Sequence, residues 1–371
     1  MEQTAADKPT GNATPAAPPL RMKLRFMKQS MMVRMFVAIA PVAVAGIYFF
    51  GWRVLALLAV CIVAGVAVEW ITTHRRGKPV SLACLVTCGL YTLSLPPTMP
   101  LWMAVVGIVV GVLFGKEVFG GFGKNWANPA IVGRAFVYVA FPVEMTGSFV
   151  PTFRGFPGGF AHWSFVSLQA VPTWLSSAAS EIADAVTMAT PNVAARDYGV
   201  ATPWETLFFG NIGGTFETDA GTRVLAAGSI GEVCAPLLIF AGIYLLWTRT
   251  ANWRLTVSML IGVLGLNGIL LLAGADRTVS MAHMLFAGSL LYGAVFIVTE
   301  PVSAPRRNAA RWMYGLFIGL MYVLIRWQGQ FAAALSFAIL LGNMVGPTMD
   351  IAVRAWKTRG KAAAAAKGDA P

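Results

Sequence analysis

The run VLALLAVCIVAGVAVEWIT (Val54–Thr72) decides the fold. Its 19 residues hold one charge, Glu69, and reach the length of roughly 20 apolar residues with which a helix crosses a bilayer. Working outward, nine further apolar segments can be drawn: Val33–Phe50 before it, then Val80–Leu95, Leu101–Phe119, Pro129–Val143, Val233–Trp247, Leu255–Ala273, Met281–Val298, Trp312–Ile325 and Phe331–Met349. The fifth and ninth are short for a full crossing. Of the 371 residues, 57% are hydrophobic and 12% charged, with mean hydropathy +0.67. That balance lies far from soluble averages. The expected class is an all-α membrane protein of about ten transmembrane helices, and a soluble multidomain architecture is excluded.

A net charge of +12 invites nucleic-acid binding, yet the basic residues lie between apolar spans, where they report orientation in the bilayer. With the N-terminus inside, 21 of the 28 Lys and Arg fall on the inner side. Arg53, Arg154, Arg196, Arg223, Arg277 and Arg326 fall outside, and Arg134 stays within a span. This predicts both termini in the cytoplasm and residues 144–232 on the outer face. The lipid bilayer is the expected partner, and no nucleic acid is. Five spans, an outer segment and five more spans make the halves 31–143 and 233–352 enter from opposite sides, as an inverted repeat requires. Pro96 and Pro97 after the third span and Pro301 after the eighth suit either broken helices around a central site or plain helix ends. Residues 1–30 and 353–371 read as disordered cytoplasmic tails, and Met1–Leu20 lacks the apolar core of a cleavable signal peptide.

Two stretches stand apart from this apolar background. GKEVFGGFGKNWANP (Gly115–Pro129) combines clustered glycines, which permit a tight backbone, with Asn125 and Asn128 ahead of a proline. The two amides suit the edge of a flat heterocycle, or simply the cap of the helix that follows. DAVTMATP (Asp184–Pro191) lies in the long polar-rich excursion and carries two hydroxyls, Thr187 and Thr190. Acidic residues in or beside the spans are Glu69, Glu117, Glu144, Glu232, Glu300 and Asp350. Most fall near span ends, where water is close. Glu300 and Asp350 close the inner ends of two spans and mark either a candidate cation path or structural caps. Cys61, Cys84, Cys88 and Cys234 form no Cys-x-x-Cys pattern and read as buried thiols; no metal site is expected. No dinucleotide fingerprint is visible, so the chain is not expected to oxidise NADH alone.

The stretch Lys116 to Arg134, with Gly228-Ser229-Ile230-Gly231-Glu232, Thr299-Glu300-Pro301-Val302-Ser303 and Gly315 to Asp350, closely resembles one membrane subunit family. Two ion pumps share it, as the B subunit of the sodium-translocating NADH:quinone reductase (NQR) and the D subunit of the Rnf ferredoxin:NAD oxidoreductase. The resemblance covers roughly Val33 to Asp350. It implies a ten-helix, non-autonomous subunit of a redox-driven ion pump in the bacterial inner membrane. FMN would be joined through its phosphate to a threonine by a separate flavin transferase. The family motif Asp-x-x-Ser/Thr-Gly-Ala-Thr is matched by Asp184, Thr187, Ala189 and Thr190, with Met188 in place of the glycine, so Thr190 is the implied acceptor. Members of the NQR type also hold riboflavin noncovalently, and Asn125 and Asn128 match the positions implied there. Quinone is a further implied partner, although Ala83 stands where the NQR branch has a glycine at its quinone site. The branch and the coupling ion, Na+ or H+, stay open. A reading from a different class, a cofactor-free transporter or channel with an inverted repeat, has no use for the threonine motif.

Overall fold

The computed structural model describes residues 26–27, 29–165, 188–218, 221–329 and 333–368, with 360–368 by backbone alone. Asp184 and Thr187 lie outside the described residues.

Every apolar segment of the sequence carries helix. The first half contributes α1 (Ser30–Phe50), α2 (Arg53–His74), α3 (Leu82–Leu93), α4 (Leu101–Val112) and α5 (Pro129–Ala140). Among the described residues that follow are three short helices, α6 (Pro142–Gly147), α7 (Pro191–Tyr198) and α8 (Trp204–Phe209). The second half comprises α9 (Ala235–Trp247), α10 (Trp253–Leu272), α11 (Met281–Phe286), α12 (Leu290–Tyr292), α13 (Asn308–Gln328) and α14 (Ala334–Gly368). The helices α1, α2, α10, α13 and α14 are long and apolar enough to cross a membrane; α3, α5 and α9 are shorter apolar helices. The protein is an all-α membrane protein. Large apolar side chains such as Val63, Trp247 and Leu272 remain exposed on its flanks, as lipid-facing residues are.

Where the observed elements depart from the expected ones, local chemistry gives the reason. The eighth segment is broken: α11 ends at Phe286, and Gly288, with φ +86°, turns the backbone before α12 begins. That φ favours glycine because it has no Cβ to clash. From Gly293 to Ile297 the segment continues as a π-helical turn, and a second one follows α4 at Leu113–Glu117. Residues from 353 onward, expected as a disordered tail, continue α14 as far as Gly368. Their alanine run has the highest helix propensity of any residue type.

Little sheet is present. β1 (Phe26–Met27) pairs in parallel with β2 (Val80–Ser81), tying the start of α1 to the start of α3. β3 (Met188–Ala189) pairs in parallel with β5 (Gly221–Leu225), which pairs antiparallel with β4 (Thr215–Thr218). Helices α10 and α13 pack along one another through glycines. A Cβ on Gly262 would stand 2.8 Å from the Leu316 carbonyl oxygen, and one on Gly315 would stand 2.7 Å from the Leu255 carbonyl oxygen. Such close approach is how membrane helices gain packing energy where lipid offers no hydrophobic drive.

Candidate functional site

Among the recesses of the described residues, two hold the candidate groups and are separated along α5. Asn128, which caps the start of α5, lines the first, and Arg134 lines the second. Six residues of helix, about 9 Å of rise, lie between them.

The Thr190 recess is built at a strand-to-helix junction. β3 is held by β5, and Ala226 N donates to Ala189 O at 3.0 Å. The chain leaves the strand at Thr190 in an extended conformation, φ −69° and ψ 158°, and Pro191 begins α7. Proline suits a first helical position, since its φ is preset and its missing N–H would lack a helical partner. The Thr190 carbonyl accepts from Ala194 N at 2.8 Å, while its side chain makes no capping hydrogen bond. The hydroxyl is therefore not spent on a cap, and Thr190 lines a recess with about 750 Å³ of empty space, the part open to solvent included.

Its walls come from elements far apart in sequence: Arg134 on α5, Ser229 and Glu232 in the 3-10 turn before α9, Gly288 and Ser289 at the helix break, and Arg326 on α13. Arg326 is engaged through both terminal nitrogens. Its Nη1 donates to Ala287 O at 3.1 Å and to the Tyr322 hydroxyl at 2.6 Å, and its Nη2 donates to Asn192 Oδ1. Ser229 and Glu232 form a capping box, with Ser229 N donating to Glu232 Oε1 at 2.5 Å. Burial pushes the Glu232 carboxyl above its ordinary value, opposed by Arg134 and by the Ser229 N–H. Two guanidiniums against one carboxylate give the recess a positive balance suited to an anionic guest.

The first recess holds about 620 Å³ of empty space, with Met31, Met35, Ala83 and Phe296 as apolar walls and Lys116, Asn125, Asn128 and Glu300 as polar ones. Asn128 Oδ1 accepts from Ala130 N at 2.9 Å and Ile131 N at 3.3 Å, so its carbonyl serves the cap, while its NH2 is turned to the Glu300 carboxyl. Asn125 Nδ2 donates to Glu300 Oε1 at 3.4 Å, while Asn125 Oδ1 is buried without a partner among the described residues. Glu300 Oε2 accepts from Ser303 Oγ at 2.9 Å. Glu300 lies in the turn after the π-helical segment, and burial pushes its carboxyl up to about 7 against the hydrogen bonds from Ser303 and Asn125.

Most acidic residues in or beside the spans are expected near water at span ends, but Glu69 and Glu117 are buried, at 1% exposure. Lys116 Nζ meets Glu69 Oε2 at 2.5 Å and donates to Ser81 Oγ at 2.8 Å. Glu117 Oε2 accepts from Arg76 Nη1 at 3.1 Å and from Thr72 Oγ1 at 3.0 Å. The cation that makes this burial tolerable was legible as a charge, but not its position: the π-helical turn sets where Lys116 points.

The structure thus brings Asn125, Asn128 and Glu300 together and puts Thr190 in a separate recess. Asp350 lines neither of the two recesses and accepts from Arg306 N at 2.8 Å and Arg307 N at 3.0 Å at the start of α13, which is a cap. Arg134, Ser229, Glu232 and Arg326 were assigned no role by sequence reasoning. An arginine stranded mid-span was the available signal for Arg134, since intramembrane charges mark function. The four cysteines are free thiols, and no metal-binding group of His, Cys, Asp and Glu is found among the described residues.

Fold and recesses define a multi-pass helical membrane protein with two buried polar sites. A model of the NQR2, RnfD, RnfE family matches residues 18–358, and the chain belongs to that family. The B subunit of the Na(+)-translocating NADH-quinone reductase of Pseudoalteromonas atlantica is 35% identical over 303 residues, which is 80% of this chain and 65% of that relative. Its counterpart in Azotobacter vinelandii is 34% identical over 301 residues, 80% of this chain and 66% of that relative. The chain thus spans just under two thirds of these two relatives. The D subunit of the ion-translocating oxidoreductase complex of Aeromonas hydrophila is 32% identical over 343 residues, 89% of this chain and 94% of that relative.

Proposed function

We propose that this chain is the electron-transferring membrane subunit of an Rnf- or NQR-type ion-translocating oxidoreductase and carries FMN covalently on Thr190. The observation that carries the reading is Thr190, whose hydroxyl is spared from capping α7 and which lines a recess with positive balance. A phosphoester needs a free hydroxyl, and a roomy cavity is needed for the ring. The residues present fit the group: Arg326 frames the wall beside Asn192, two residues beyond the attachment point. Bound FMN supplies one- and two-electron transfer, and the protein supplies position and electrostatics. Attachment through the phosphate anchors the guest without using its ring, which keeps the ring's edges available to Arg134, Ser229 and Ser289.

The first recess suits a noncovalent riboflavin, with the Asn125 carbonyl and the Asn128 amide as complementary groups between apolar walls. Glu300 beside them, and Asp350 at the α13 cap, are the acidic positions proposed for the cation path. The chain works with the other subunits of its complex, with quinone as the acceptor in the NQR branch, and couples electron flow to Na+ or H+ movement. A flavin transferase that reads Asp184 and Thr187 loads it. Basic-residue asymmetry supports cytoplasmic termini and an outer location for residues 144–232, and membership of the family supports the bacterial inner membrane.

Co-expression with a flavin transferase should make the denatured chain fluoresce on a gel. Thr190→Val removes the oxygen and should abolish the band, while Thr187→Val should only weaken it. Covalent flavin that persists in Thr190→Val sinks the assignment. A wild-type chain that takes up no flavin favours the cofactor-free transporter.

A further inference from the structure

Arg134 is buried, at 4% exposure, yet it is not neutralised in the way a buried guanidinium usually is. Its Nη2 donates to Ser229 Oγ at 3.1 Å, and its Nε has no partner among the described residues. The nearby carboxylate of Glu232 is held by the Ser229 N–H in the capping box and makes no ion pair of 4 Å or less with Arg134 among the described residues. An unsatisfied buried donor is costly, the more so when charged, so it calls for an explanation. The other cation of the recess, Arg326, has both terminal nitrogens spent on Ala287, Tyr322 and Asn192. Of the two, Arg134 is the one with a buried N–H left over for a guest.

Resting on the Thr190 reading, we propose that Arg134 is the positioning residue of the recess, donating its free N–H to the pyrimidine edge of the flavin ring, at N1 and the C2 carbonyl. The chemistry of that edge is specific. Uptake of two electrons and one proton, the proton going to N5, leaves one negative charge shared between N1 and the C2 oxygen. A cation fixed there favours the reduced form and raises the reduction potential; charge near N1 is a recognised lever of protein over flavin. The geometry also answers why the residue is arginine. A planar fork engages Ser229 with one nitrogen and keeps another free, which a lysine ammonium cannot hold in fixed directions.

The test uses the assembled complex loaded by the transferase, with the Thr190→Val complex subtracted to isolate the flavin on this residue. Arg134→Gln and Arg134→Lys are compared with wild type in a spectroelectrochemical titration with dithionite and mediators. In-gel fluorescence of the denatured chain checks loading. At the potential where half the wild-type Thr190 flavin is reduced, the reduced-to-oxidised ratio should fall at least tenfold in Arg134→Gln. For a two-electron couple that is about 30 mV. Arg134→Lys should shift it the same way by a smaller factor, at least threefold, and serves alone if the Gln variant does not insert. Normal loading with a ratio within twofold of wild type in both variants overturns the inference and leaves the Thr190 reading intact. Absent covalent flavin in wild type overturns the Thr190 reading itself.

Discussion

Replacing Lys116 by Met should destabilise the protein by about 3–5 kcal/mol, because it strands Glu69 as an uncompensated buried charge. Lys116 is 2% exposed and Glu69 1%, with Nζ and Oε2 2.5 Å apart. At an effective dielectric constant of about 20, unit charges at that separation attract by about 7 kcal/mol. Desolvation costs several kcal/mol for each ion, so the intact pair nets close to zero against an apolar substitute of similar volume. Losing one partner forfeits the attraction and keeps one desolvation penalty. Glu69→Met should cost less than Lys116→Met, because Lys116 retains Glu117 Oε1 at 4.0 Å and the Ser81 hydroxyl. Lys116→Met with Glu69→Met should recover most of the loss. Unfolding by SDS titration in mixed micelles, followed by tryptophan fluorescence, gives the three free energies. If the double variant is as unstable as the sum of the singles, the pair does not act as an isolated charge couple and the argument fails.

Asn128→Ala removes the acceptor for Ala130 N and Ile131 N and should cost about 1 kcal/mol in the same titration, an ordinary capping loss. It should also lower acid-extractable riboflavin in the complex while covalent flavin stays; unchanged extractable flavin returns Asn128 to a purely capping role. Glu300, pushed up to about 7 by burial, binds a proton more readily in the folded chain than in the unfolded one. Its contribution to stability is therefore present below about pH 4.3, the ordinary glutamate value, and is lost as pH rises through about 7. Relative to Glu300→Gln, wild type should lose stability across that window, and parallel curves would refute the shift. Alkaline phosphatase fused after Gly199 should be active and after Arg307 inactive; the reverse pattern overturns the orientation.

Long spans were legible because hydropathy over some 20 residues is a strong signal. Val54–Thr72 and Leu255–Ala273 fall within one or two residues of α2 and α10. Expectation failed where tertiary contacts set the backbone. Met281–Val298 reads as one apolar run, but Gly288 turns it over the Thr190 recess, and nothing in mean hydropathy marks a break. Thr190 could be proposed from the sequence because its motif is local. The wall opposite it could not be, since Arg134, Ser229 and Arg326 are separated by roughly a hundred residues each and meet only when α5, the turn before α9 and α13 assemble. For Asn128 the sequence allowed two roles, and the structure fills one of them, the cap, with its carbonyl.

The glycine seam between α10 and α13 has a mechanical consequence for the Thr190 recess. Gly319 lies seven residues, two helical turns, before Arg326 on the same helix, and a Cβ at Gly319 would collide with the Met259 carbonyl. Helices touching backbone to backbone cannot slide or roll by small amounts, so the Arg326 side of the recess is a fixed datum. The helix break at Ala287–Ser289 is tied to that side: Ala287 O accepts from Arg326 Nη1 at 3.1 Å, and a Cβ on Gly288 would meet the Asn192 side chain. A change of charge in the cavity thus acts on a helix break anchored to the fixed wall, and the chain continues from that break through α12 and the π-helical turn Gly293–Ile297 to Glu300.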